Sequence, residues 1–355
     1  MSTRPHHGRV WADISLPNLV ANARQVLAQL PGTRLLPMVK ADAYGVGAVP
    51  CVRALDVVDP WGFGVATLAE AGELRQTGVG RPILVFTPGD PADLEQYRDL
   101  DCRAVLDRAT AVRAWDRPFH LEIDTGMGRC GVRWDDVNEL AACRSPHLEG
   151  AFTHLHSADT DPASAQLQVE RFRGAIAALG TRPPLLHIAN SVGAWRLSEG
   201  LDLARPGIFL YGGQHARDLP QPAPVVAVRA PVVSVRRLAV DDTVSYGGTW
   251  TAKRPTTVAT LGVGYADGIP RVLSPKAAVL LRGERVPIIG RVTMDFIMVD
   301  AGPADDVHVG EIATLIGAEG SHAITVDEFA GWAGTVAYEI LARLGARVPR
   351  RYHDA

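Results

Sequence analysis

The sequence predicts an α/β chain in which a (β/α)8 TIM barrel is followed by a C-terminal, mostly-β domain. Eight short apolar runs alternate with helix-like stretches in the first part of the chain, and alternating, β-branched segments follow them. The chain has 355 residues, of which 47% are hydrophobic, which suits about two domains with a large core. We expect the barrel at 10–224 and the β domain at 225–355, with residues 1–9 as a candidate segment for packing on the β domain.

The eight apolar runs are continuous rather than alternating, as is typical of strands buried on both faces of a sheet. Helix-like stretches between them include 135–143, 162–179 and the segment after Thr67, which stands three residues before Glu70 and predicts a capping box. Strands that alternate with helices in this way predict a parallel barrel. The runs lie at 34–39, 62–66, 82–86, 102–106, 119–123, 150–153, 185–188 and 203–205.

The pattern changes after about residue 225. The strand-like segments there are separated by Gly, Pro and Asp turns and by few helical stretches, which predicts a small all-β domain. Two final helices are expected, at 325–333 and 337–344, and the proline-rich segment 214–224 is expected to be a linker. The strand-like segments are 225–240, 256–263, 277–281, 286–300 and 311–316.

Charge and composition exclude several classes of function. The formal net charge is −3, so there is no basic excess for binding nucleic acid. No apolar run approaches the ~20 residues of a membrane helix, and the polar N-terminus has no signal-type apolar segment. Cys51, Cys102, Cys130 and Cys143 show no CxxC spacing, which indicates reduced thiols. We therefore expect a cytoplasmic protein with no nucleic-acid or membrane partner.

The sequence Lys-Ala-Asp-Ala-Tyr-Gly at residues 40–45 places a lysine at the end of an apolar strand. In a barrel this is the C-terminal mouth, where active sites lie. Loss of hydration there lowers the pKa of a lysine and makes its amine a better nucleophile, as a Schiff-base lysine requires. By position alone, a Lys40 that extends into solvent or pairs with a carboxylate is an equally good interpretation.

Two further motifs follow later barrel strands. In Asp-Thr-Gly-Met-Gly-Arg at 124–129, the glycines permit tight turns and Arg129 suits a carboxylate ligand, although a structural Asp–Arg pair explains the residues alone more simply. His154 and His156 have metal-ligand spacing, but two histidines are too few for a metal site. An aromatic lid over a planar cofactor is the alternative, and we expect no metal.

The late barrel loops contain residues typical of phosphate binding. Ser191 is expected to start a helix, and Gly207 and Ile208 offer backbone N–H groups, two devices that bind phosphate in barrels. Simple helix capping by Ser191 is the alternative. In the β domain, tyrosines and arginines stand beside glycines at 244–247, 264–271 and 290–295. This suits a surface that closes on a ligand, or equally hairpin turns with solvated arginines.

Taken together, these motifs resemble those of the alanine racemase family, whose members use pyridoxal 5′-phosphate (PLP). The resemblance extends from about Val10 to Tyr352. It implies a PLP-binding barrel with a β domain, a head-to-tail homodimer and the interconversion of L- and D-alanine, an amino-acid isomerase activity that supplies D-alanine. The motifs that support it are 40–45, 124–129, 205–207, 245–247, 264–271 and 291–295.

The resemblance also implies a catalytic pair. Lys40 corresponds to the lysine that holds PLP covalently, and Tyr246 to a second base contributed to the active site of the partner subunit. Racemisation must remove a proton from one face of a planar carbanion and return one to the other face, which two bases achieve without moving the substrate. Tyrosine is a weak base at its usual pKa near 10, so this role requires a neighbouring arginine or a chain of hydrogen bonds.

The remaining roles are likewise implied by the resemblance. Arg205 faces the pyridine nitrogen, and because a guanidinium does not readily give up a proton, that nitrogen stays unprotonated and reprotonation at Cα is favoured over transamination. His187 orients Arg205, and His154 stacks on the ring. The phosphate contacts are Tyr44, Ser191, Gly207, Ile208 and Tyr338; the substrate carboxylate meets Arg129 and the backbone N–H of Met294; the entry gate is Asp159, Tyr265, Arg271 and Arg291.

Two residues depart from the family pattern. Many members have a carbamylated lysine seven residues before the arginine matched by Arg129, and this chain has Glu122 there. We expect the glutamate carboxylate to replace the carbamate in holding Arg129. The second departure is Val46, where many members have histidine.

Other activities are compatible with parts of the pattern. A small pocket cannot strongly reject serine, which differs from alanine by one hydroxyl, so a serine racemase or one of broader specificity is the nearest alternative. A non-catalytic PLP-binding protein is the alternative from another class, but it needs neither a β domain nor a second base such as Tyr246. A metal-dependent barrel hydrolase is disfavoured for want of ligands.

Overall fold

The computed structural model describes residues 9–142, 145–197, 201–214, 216, 218–304 and 306–353. Within them the chain forms twenty strands and eleven helical segments. The strands are β1 (Trp11–Ser15), β2 (Arg34–Leu35), β3 (Phe63–Val65), β4 (Ile83–Pro88), β5 (Arg103–Leu106), β6 (Phe119–Asp124), β7 (Val132–Arg133), β8 (Leu148–Phe152), β9 (Leu185–His187), β10 (Leu203–Ala204), β11 (Val226–Leu238), β12 (Thr243–Val244), β13 (Trp250–Thr251), β14 (Thr256–Leu261), β15 (Ala278–Leu281), β16 (Glu284–Ile289), β17 (Ile297–Asp300), β18 (Ile312–Glu319), β19 (His322–Ile324) and β20 (Arg350–His353). The helical segments are α1 (Leu16–Gln29), α2 (Lys40–Gly45), α3 (Ala48–Leu55), α4 (Leu68–Gln76), α5 (Leu94–Asp99), α6 (Ala109–Ala114), α7 (Asn138–Ala141), α8 (Pro162–Ala178), α9 (Gly193–Arg196), α10 (Val326–Ala333) and α11 (Ala337–Ala342).

Eight parallel strands form the barrel, in the order β2-β10-β9-β8-β6-β5-β4-β3. The two ends of this sheet meet where Met38, just after β2, bridges to Gly64 in β3. The Val39 N–H donates to the Gly64 carbonyl at 2.8 Å, and the Gly64 N–H donates to the Pro37 carbonyl at 2.9 Å. The eight apolar runs are thus confirmed as the strands of a parallel barrel.

The barrel encloses an apolar core cluster, as expected for strands buried on both faces. The capping box predicted between Thr67 and Glu70 is present at the start of α4, and the helix expected at 162–179 is α8. The helix expected at 135–143 is shorter, as α7, and Cys143 lies outside the described residues. The core cluster consists of Leu36, Trp61, Leu84, Val105, Phe152, Leu185 and Leu203.

The C-terminal strands form a second closed arrangement, in which β11, β14, β17, β16, β15 and β18 pair in a ring. Strand β11 is 13 residues long and has a register shift between Val232 and Ser234. Its N-terminal part pairs with β18, and its C-terminal part pairs with β14. The single segment expected at 286–300 is two strands, β16 and β17, because the chain turns at Gly290, which has φ 63°. The final predicted helices are α10 and α11.

The N-terminal strand β1 lies with the C-terminal strands rather than in the barrel. It pairs antiparallel with β11 and parallel with β20. A barrel of eight strands that already closes on itself offers no edge for another strand, so β1 finds its partners elsewhere. The chain divides into two compact units: a β unit, made of the residues up to Asn18, Tyr211–Gly213 and Ala223–Ala355, and a barrel unit, made of Leu19–Leu210 and Gln214–Pro222. The expected domain ranges, 10–224 and 225–355, stay predictions.

Candidate active site

Lys40 lies at the mouth of the barrel, at the start of an unusual turn. The four residues Ala41–Tyr44 all have left-handed backbone conformations, with φ between 51° and 57°. Each such non-glycine residue costs roughly 1–2 kcal/mol, so the turn must be held by its surroundings. Val46, where many family members have histidine, is fully buried at the end of this turn, where an apolar side chain fits.

Glu70 anchors this turn from the first turn of α4. One oxygen of its carboxylate accepts a hydrogen bond from the Ala41 N–H at 2.7 Å, and the other accepts from the Ala66 N–H at 2.6 Å and the Thr67 N–H at 3.2 Å. The Thr67 hydroxyl accepts in return from the Glu70 N–H at 3.2 Å. A single carboxylate therefore links the start of a helix to the residue after Lys40, a role that the sequence reasoning missed although it had located the capping box.

The electrostatic surroundings of Lys40 favour a neutral amine. Burial lowers the pKa of Lys40, and the positive charges of Arg129 and Arg205 lower it further, while Glu70 partly offsets them. A lower pKa leaves more of the amine unprotonated and nucleophilic at neutral pH. Of the interpretations left open for this lysine, the structure favours the partly desolvated amine.

Arg205, which follows β10, is held by hydrogen bonds inside the barrel. Its Nη1 donates to His187 Nδ1 at 2.9 Å and its Nη2 donates to the Thr153 carbonyl at 2.8 Å. The guanidinium carbon lies 5.0 Å from the centre of the Phe152 ring. Burial lowers the pKa of Arg205 to about 10, with Glu122 opposing that shift, so the group stays charged at neutral pH. The expected orientation of Arg205 by His187 is thus visible as a direct contact.

His154 presents a neutral imidazole next to these positive groups. Burial lowers its pKa to about 3, and the charges of Arg205, Arg129 and Lys40 contribute in the same direction. The His154 carbonyl accepts a hydrogen bond from Gln168 Nε2 at 3.0 Å, so α8 fixes the segment that precedes it. The structure therefore brings Lys40, Arg129, His154 and Arg205 into one electrostatically coupled group.

A compact cradle of small and hydroxyl residues lies in the same unit. The Ser191 hydroxyl accepts from the Gly207 N–H at 3.0 Å and from the Phe209 N–H at 3.5 Å. A β-carbon on Gly207 would lie 2.3 Å from the Tyr44 hydroxyl, so a larger residue there would displace the Tyr44 side chain. Ile208 is fully buried beside it. The structure thus brings Tyr44, Ser191, Gly207 and Ile208 together, and their role as phosphate contacts stays a prediction.

Ser191 does not cap the following helix, contrary to one interpretation of its sequence position. The carboxamide oxygen of Asn190 takes that place and accepts from the Gly193 N–H at 2.8 Å. The helix α9 also begins at Gly193, two residues later than expected. Ser191 is therefore available to bind a ligand with its hydroxyl hydrogen while its oxygen holds the Gly207 turn.

Glu122 is buried in β6, near the motif that bears Arg129. Burial raises the pKa of Glu122, while the charges of Arg129 and Arg205 lower it in part. No ion pair within 4 Å joins Glu122 and Arg129 in the described residues, so they interact through charge at longer range. The turn before Arg129 is shaped by Asp124, whose carboxylate accepts from the Gly126 N–H at 2.9 Å and from the Gly128 N–H at 3.1 Å.

The β unit brings together most of the other expected site residues. Tyr246 is 72% exposed and follows Ser245, a non-glycine residue at φ 67° whose hydroxyl donates to the Arg291 carbonyl at 2.8 Å. The Tyr265 N–H donates to the Thr293 carbonyl at 3.0 Å, next to Met294. Tyr246, Tyr265, Arg291 and Met294 therefore lie on adjoining loops of one unit.

The three remaining predicted site residues are all exposed, two of them in the β unit and one in the barrel unit. Arg271 is exposed in a short turn that Ser274 fixes by accepting from the Val292 N–H at 2.7 Å. Tyr338 is exposed on α11 of the same β unit. Asp159, by contrast, is exposed on the barrel unit, in the loop before α8. Among the described residues there is no helix that could span a membrane and no group of three or more side chains placed to bind a metal ion.

Comparison with known proteins gives similarities over nearly the whole chain. Residues 14–215 match the N-terminal domain of alanine racemase, and residues 225–352 match its C-terminal domain. An alanine racemase from Deinococcus radiodurans is 42% identical, over 97% of this chain and 99% of that protein. The crystal structure of alanine racemase from Bacillus anthracis with bound L-Ala-P gives a TM-score of 0.91 at 30% identity, covering 99% of this chain and 96% of that one. The crystal structure of alanine racemase from Bartonella henselae, with covalently bound pyridoxal phosphate, gives a TM-score of 0.89 at 28% identity, covering 97% of this chain and 99% of that one.

Proposed function

Because the chain belongs to the alanine racemase family, we propose that Lys40 and Tyr246 are the two bases with which it interconverts L- and D-alanine. The enzyme depends on PLP, which when bound withdraws electrons from the α-carbon of the substrate and so acidifies its proton. One observation supports the assignment of Lys40 most directly: its amine lies at the barrel mouth, with its pKa lowered by burial and by two guanidinium groups.

The residues of the barrel unit fit this cofactor. Ser191, Tyr44 and the tightly packed Gly207 supply hydroxyl and backbone groups for its phosphate. We also assign Ile208 of this unit, and Tyr338 of the β unit, to the phosphate. Arg205 is a charged group with donors only, so it suits an unprotonated ring nitrogen as its partner. The neutral imidazole of His154 can pack on a flat ring without adding another positive charge.

The two proposed bases differ in how they handle the proton. The Lys40 amine, neutral in a larger fraction than an ordinary lysine, takes a proton from the α-carbon on its side. The Tyr246 hydroxyl gives one from the opposite side, and the two exchange roles in the reverse direction. Arg129 and the Met294 N–H hold the substrate carboxylate by charge-assisted hydrogen bonds, which keeps the α-carbon between the bases.

We further propose that the active enzyme is a homodimer in which Tyr246 acts in the site of a second copy. Tyr246 is 72% exposed, and its neighbours Tyr265, Met294 and Phe296 are 42%, 53% and 43% exposed, so this loop region has apolar surface available for a partner. Asp159, Tyr265, Arg271 and Arg291 would then form the entry gate. Dilution to monomers that retain full activity would contradict the shared site.

We propose that the protein is cytoplasmic, because of the state of its cysteine thiols. Cys51, Cys102 and Cys130 are free, as is expected of a protein in the reducing cytoplasm. The partners that we propose for it are a small amino-acid substrate and a second copy of the chain.

The proposed bases are tested by Tyr246→Phe. We expect the PLP-loaded variant to lose racemisation by at least ~100-fold while PLP stays bound, because only the second proton donor is missing. Proton NMR in deuterated water follows loss of the Cα–H signal of alanine, and chiral chromatography follows the second enantiomer. The variant should still exchange the Cα proton of one enantiomer at Lys40.

Tyr352→Phe is the matched control, because Tyr352 lies on β20 of the same unit and outside the proposed site. Unchanged racemisation in Tyr246→Phe would overturn the two-base assignment. The same assay with L-serine ranks the two substrates. Absence of exchange with either amino acid, despite bound PLP, would instead support the non-catalytic PLP-binding alternative.

A further inference from the structure

A chain of hydrogen-bonded side chains runs through the barrel interior from Arg205. Arg205 Nη1 contacts His187 Nδ1 at 2.9 Å, and His187 Nε2 contacts His120 Nδ1 at 2.7 Å. His120 Nε2 in turn lies 3.4 Å from a carboxylate oxygen of Glu149, which Arg103 Nε also approaches at 3.4 Å. The chain thus joins Arg205, which follows β10, to residues of β9, β6, β8 and β5. The proposed mechanism uses only its first two members.

The two ends of the chain, the donor-only guanidinium of Arg205 and the acceptor-only carboxylate of Glu149, favour the same direction for every hydrogen bond between them. A guanidinium has donors only, so His187 Nδ1 must accept from Arg205. A neutral imidazole with an unprotonated Nδ1 carries its proton on Nε2, so His187 donates to His120 Nδ1. His120 then carries its own proton on Nε2 and donates to Glu149, which as a carboxylate only accepts. No other arrangement of neutral rings satisfies all three contacts.

Both imidazoles are neutral because they are buried. His120 and His187 have no exposed surface, and burial is the main cause that lowers the pKa of each. For His120 the carboxylate of Glu149 opposes this shift, and the charges of Arg103 and Arg205 add to it. If His120 carried its proton on Nδ1, His187 would need its own on Nδ1, where it would face the guanidinium donors of Arg205.

The barrel is built to accommodate this polar chain in an apolar core. A β-carbon on Gly150 would lie 2.5 Å from His120 Nδ1, so glycine makes room for the ring. Trp61 packs on His120 with centroids 5.4 Å apart, and Phe152 stacks on His187 at 4.9 Å. Well-packed apolar side chains serve as well or better for stability at such positions, which suggests that the chain orients a group instead.

We propose that His120 and Glu149 are positioning residues: they fix the tautomer of His187, and thereby the orientation of the Arg205 guanidinium at the mouth of the barrel. This inference rests on the role proposed for Arg205. From the end opposite Arg205, the Glu149 carboxylate favours a proton on Nε2 of His120, which leaves His120 Nδ1 free to accept from His187 and favours a proton on Nε2 of His187 as well. Neither residue touches substrate, so both act through Arg205.

The test reads the tautomers directly. In 15N-labelled protein without cofactor, long-range 1H–15N correlation spectra distinguish the two nitrogens of each imidazole by their chemical shifts. We expect His120 and His187 in the native protein to be neutral, with Nε2 protonated, from pH 6 to 8. An Nδ1-protonated His187 in the native protein would overturn the inference, whether or not the enzyme racemises alanine.

Two variants break the chain at different points. His120→Phe removes the acceptor for His187, and Glu149→Leu removes the acceptor for His120 at a half-buried position, where folding is less affected. In each we expect His187 to lose its single Nε2-protonated form. In the PLP-loaded enzyme we expect kcat to fall three- to tenfold while KM for alanine stays within twofold, because Arg129 is not part of the chain. Glu149→Gln keeps an oxygen acceptor and should restore both readouts in large part.

Trp61→Phe is the matched control, because it alters packing on His120 and leaves every hydrogen bond of the chain in place. Its His187 signals and kcat should match those of the native enzyme. If Glu149→Leu and His120→Phe leave the His187 tautomer and kcat unchanged, or if Trp61→Phe changes them equally, the role is structural and the inference is wrong. If the tautomers respond as expected but native protein shows no racemisation, the proposed function fails and the positioning of Arg205 stands.

Discussion

Glu122 shows how one residue can oppose stability while serving a site. Its carboxyl is buried, and that burial raises its pKa, so the ionised form is disfavoured in the folded state relative to the unfolded chain. The group therefore favours folding when protonated, and this contribution is lost as pH rises through its folded pKa. The negative charge of ionised Glu122 attracts both guanidinium groups, Arg129 and Arg205, and so offsets the repulsion between them.

Replacing Glu122 by Gln should separate these two effects. Without the negative charge, Arg129 and Arg205 repel each other, and we expect KM for alanine to rise about three- to tenfold, roughly 1 kcal/mol in binding. Thermal unfolding at pH 8 should occur at the same or a higher temperature, because the cost of the buried charge is removed. Steady-state kinetics and calorimetry measure the two quantities.

Glu170→Gln is the control for this comparison, since Glu170 is an exposed glutamate on α8. It should change neither KM nor the unfolding temperature. Unchanged KM in Glu122→Gln would show that the glutamate does not stand in for the family's carbamylated lysine.

Among the elements of the fold, the left-handed turn α2 depends on the helix α4. The four left-handed residues of Ala41–Tyr44 are unfavourable in isolation, and Glu70 holds the first of them through its 2.7 Å hydrogen bond to the Ala41 N–H. The sequence shows the capping box but not its second use, because Glu70 and Ala41 are 29 residues apart in the chain.

Two substitutions in this capping box should therefore differ in effect. Thr67→Ala removes only the cap and should lower the free energy of unfolding by about 1 kcal/mol. Glu70→Ala also releases Ala41 and should cost about 1–3 kcal/mol more, and it should slow the capture of PLP by Lys40, followed by absorbance. Thr325→Ala, at the N-cap of α10, is the control that loses a cap without any link to Lys40. Equal PLP capture in Glu70→Ala and Thr67→Ala would contradict the anchoring role.

The elements also show what local pattern can predict. All eight barrel strands coincide with apolar runs. A strand that is buried on both faces is apolar along its whole length, so it can be recognised from its own residues without knowing which strands it pairs with. Strand β1 was missed, because its assignment depends on pairing with β11 and β20 at the other end of the chain.

Across the whole molecule, the buried imidazoles make stability depend on pH. His120, His154 and His187 have lowered pKa values, chiefly through burial, so in the window below 6.5 the unfolded chain binds protons that the folded chain does not. The free energy of unfolding must then fall as pH falls. Each histidine contributes up to about 1.4 kcal/mol for each pH unit below 6.5.

We expect the cofactor-free protein to be less stable at pH 5.5 than at pH 7.5, by up to about 4 kcal/mol. Urea unfolding at the two pH values measures this difference. His308→Gln, which removes an exposed histidine, should leave the difference unchanged. Equal stability at both pH values would mean that the three imidazoles are accessible to protons in the folded state.

Local patterns in the sequence were enough to define the barrel strands, the β domain and the residues of the proposed site. Their signals are continuous apolar runs, and short motifs at strand ends that parallel strands bring to the barrel mouth. The resemblance then supplied roles that the residues alone left open.

The folded structure was needed for everything that depends on residues far apart in the chain. Closure of the barrel at Met38 and Gly64, the anchoring of Ala41 by Glu70, and the contact of His120 with His187 each join separate elements. Such contacts leave no periodic pattern in the sequence, because the number and type of residues between the two partners do not determine whether their side chains meet. The last of them belongs to the hydrogen-bonded chain that we propose to orient Arg205, and Lys40 likewise has its pKa lowered by Arg129 and Arg205, which lie far from it in the sequence.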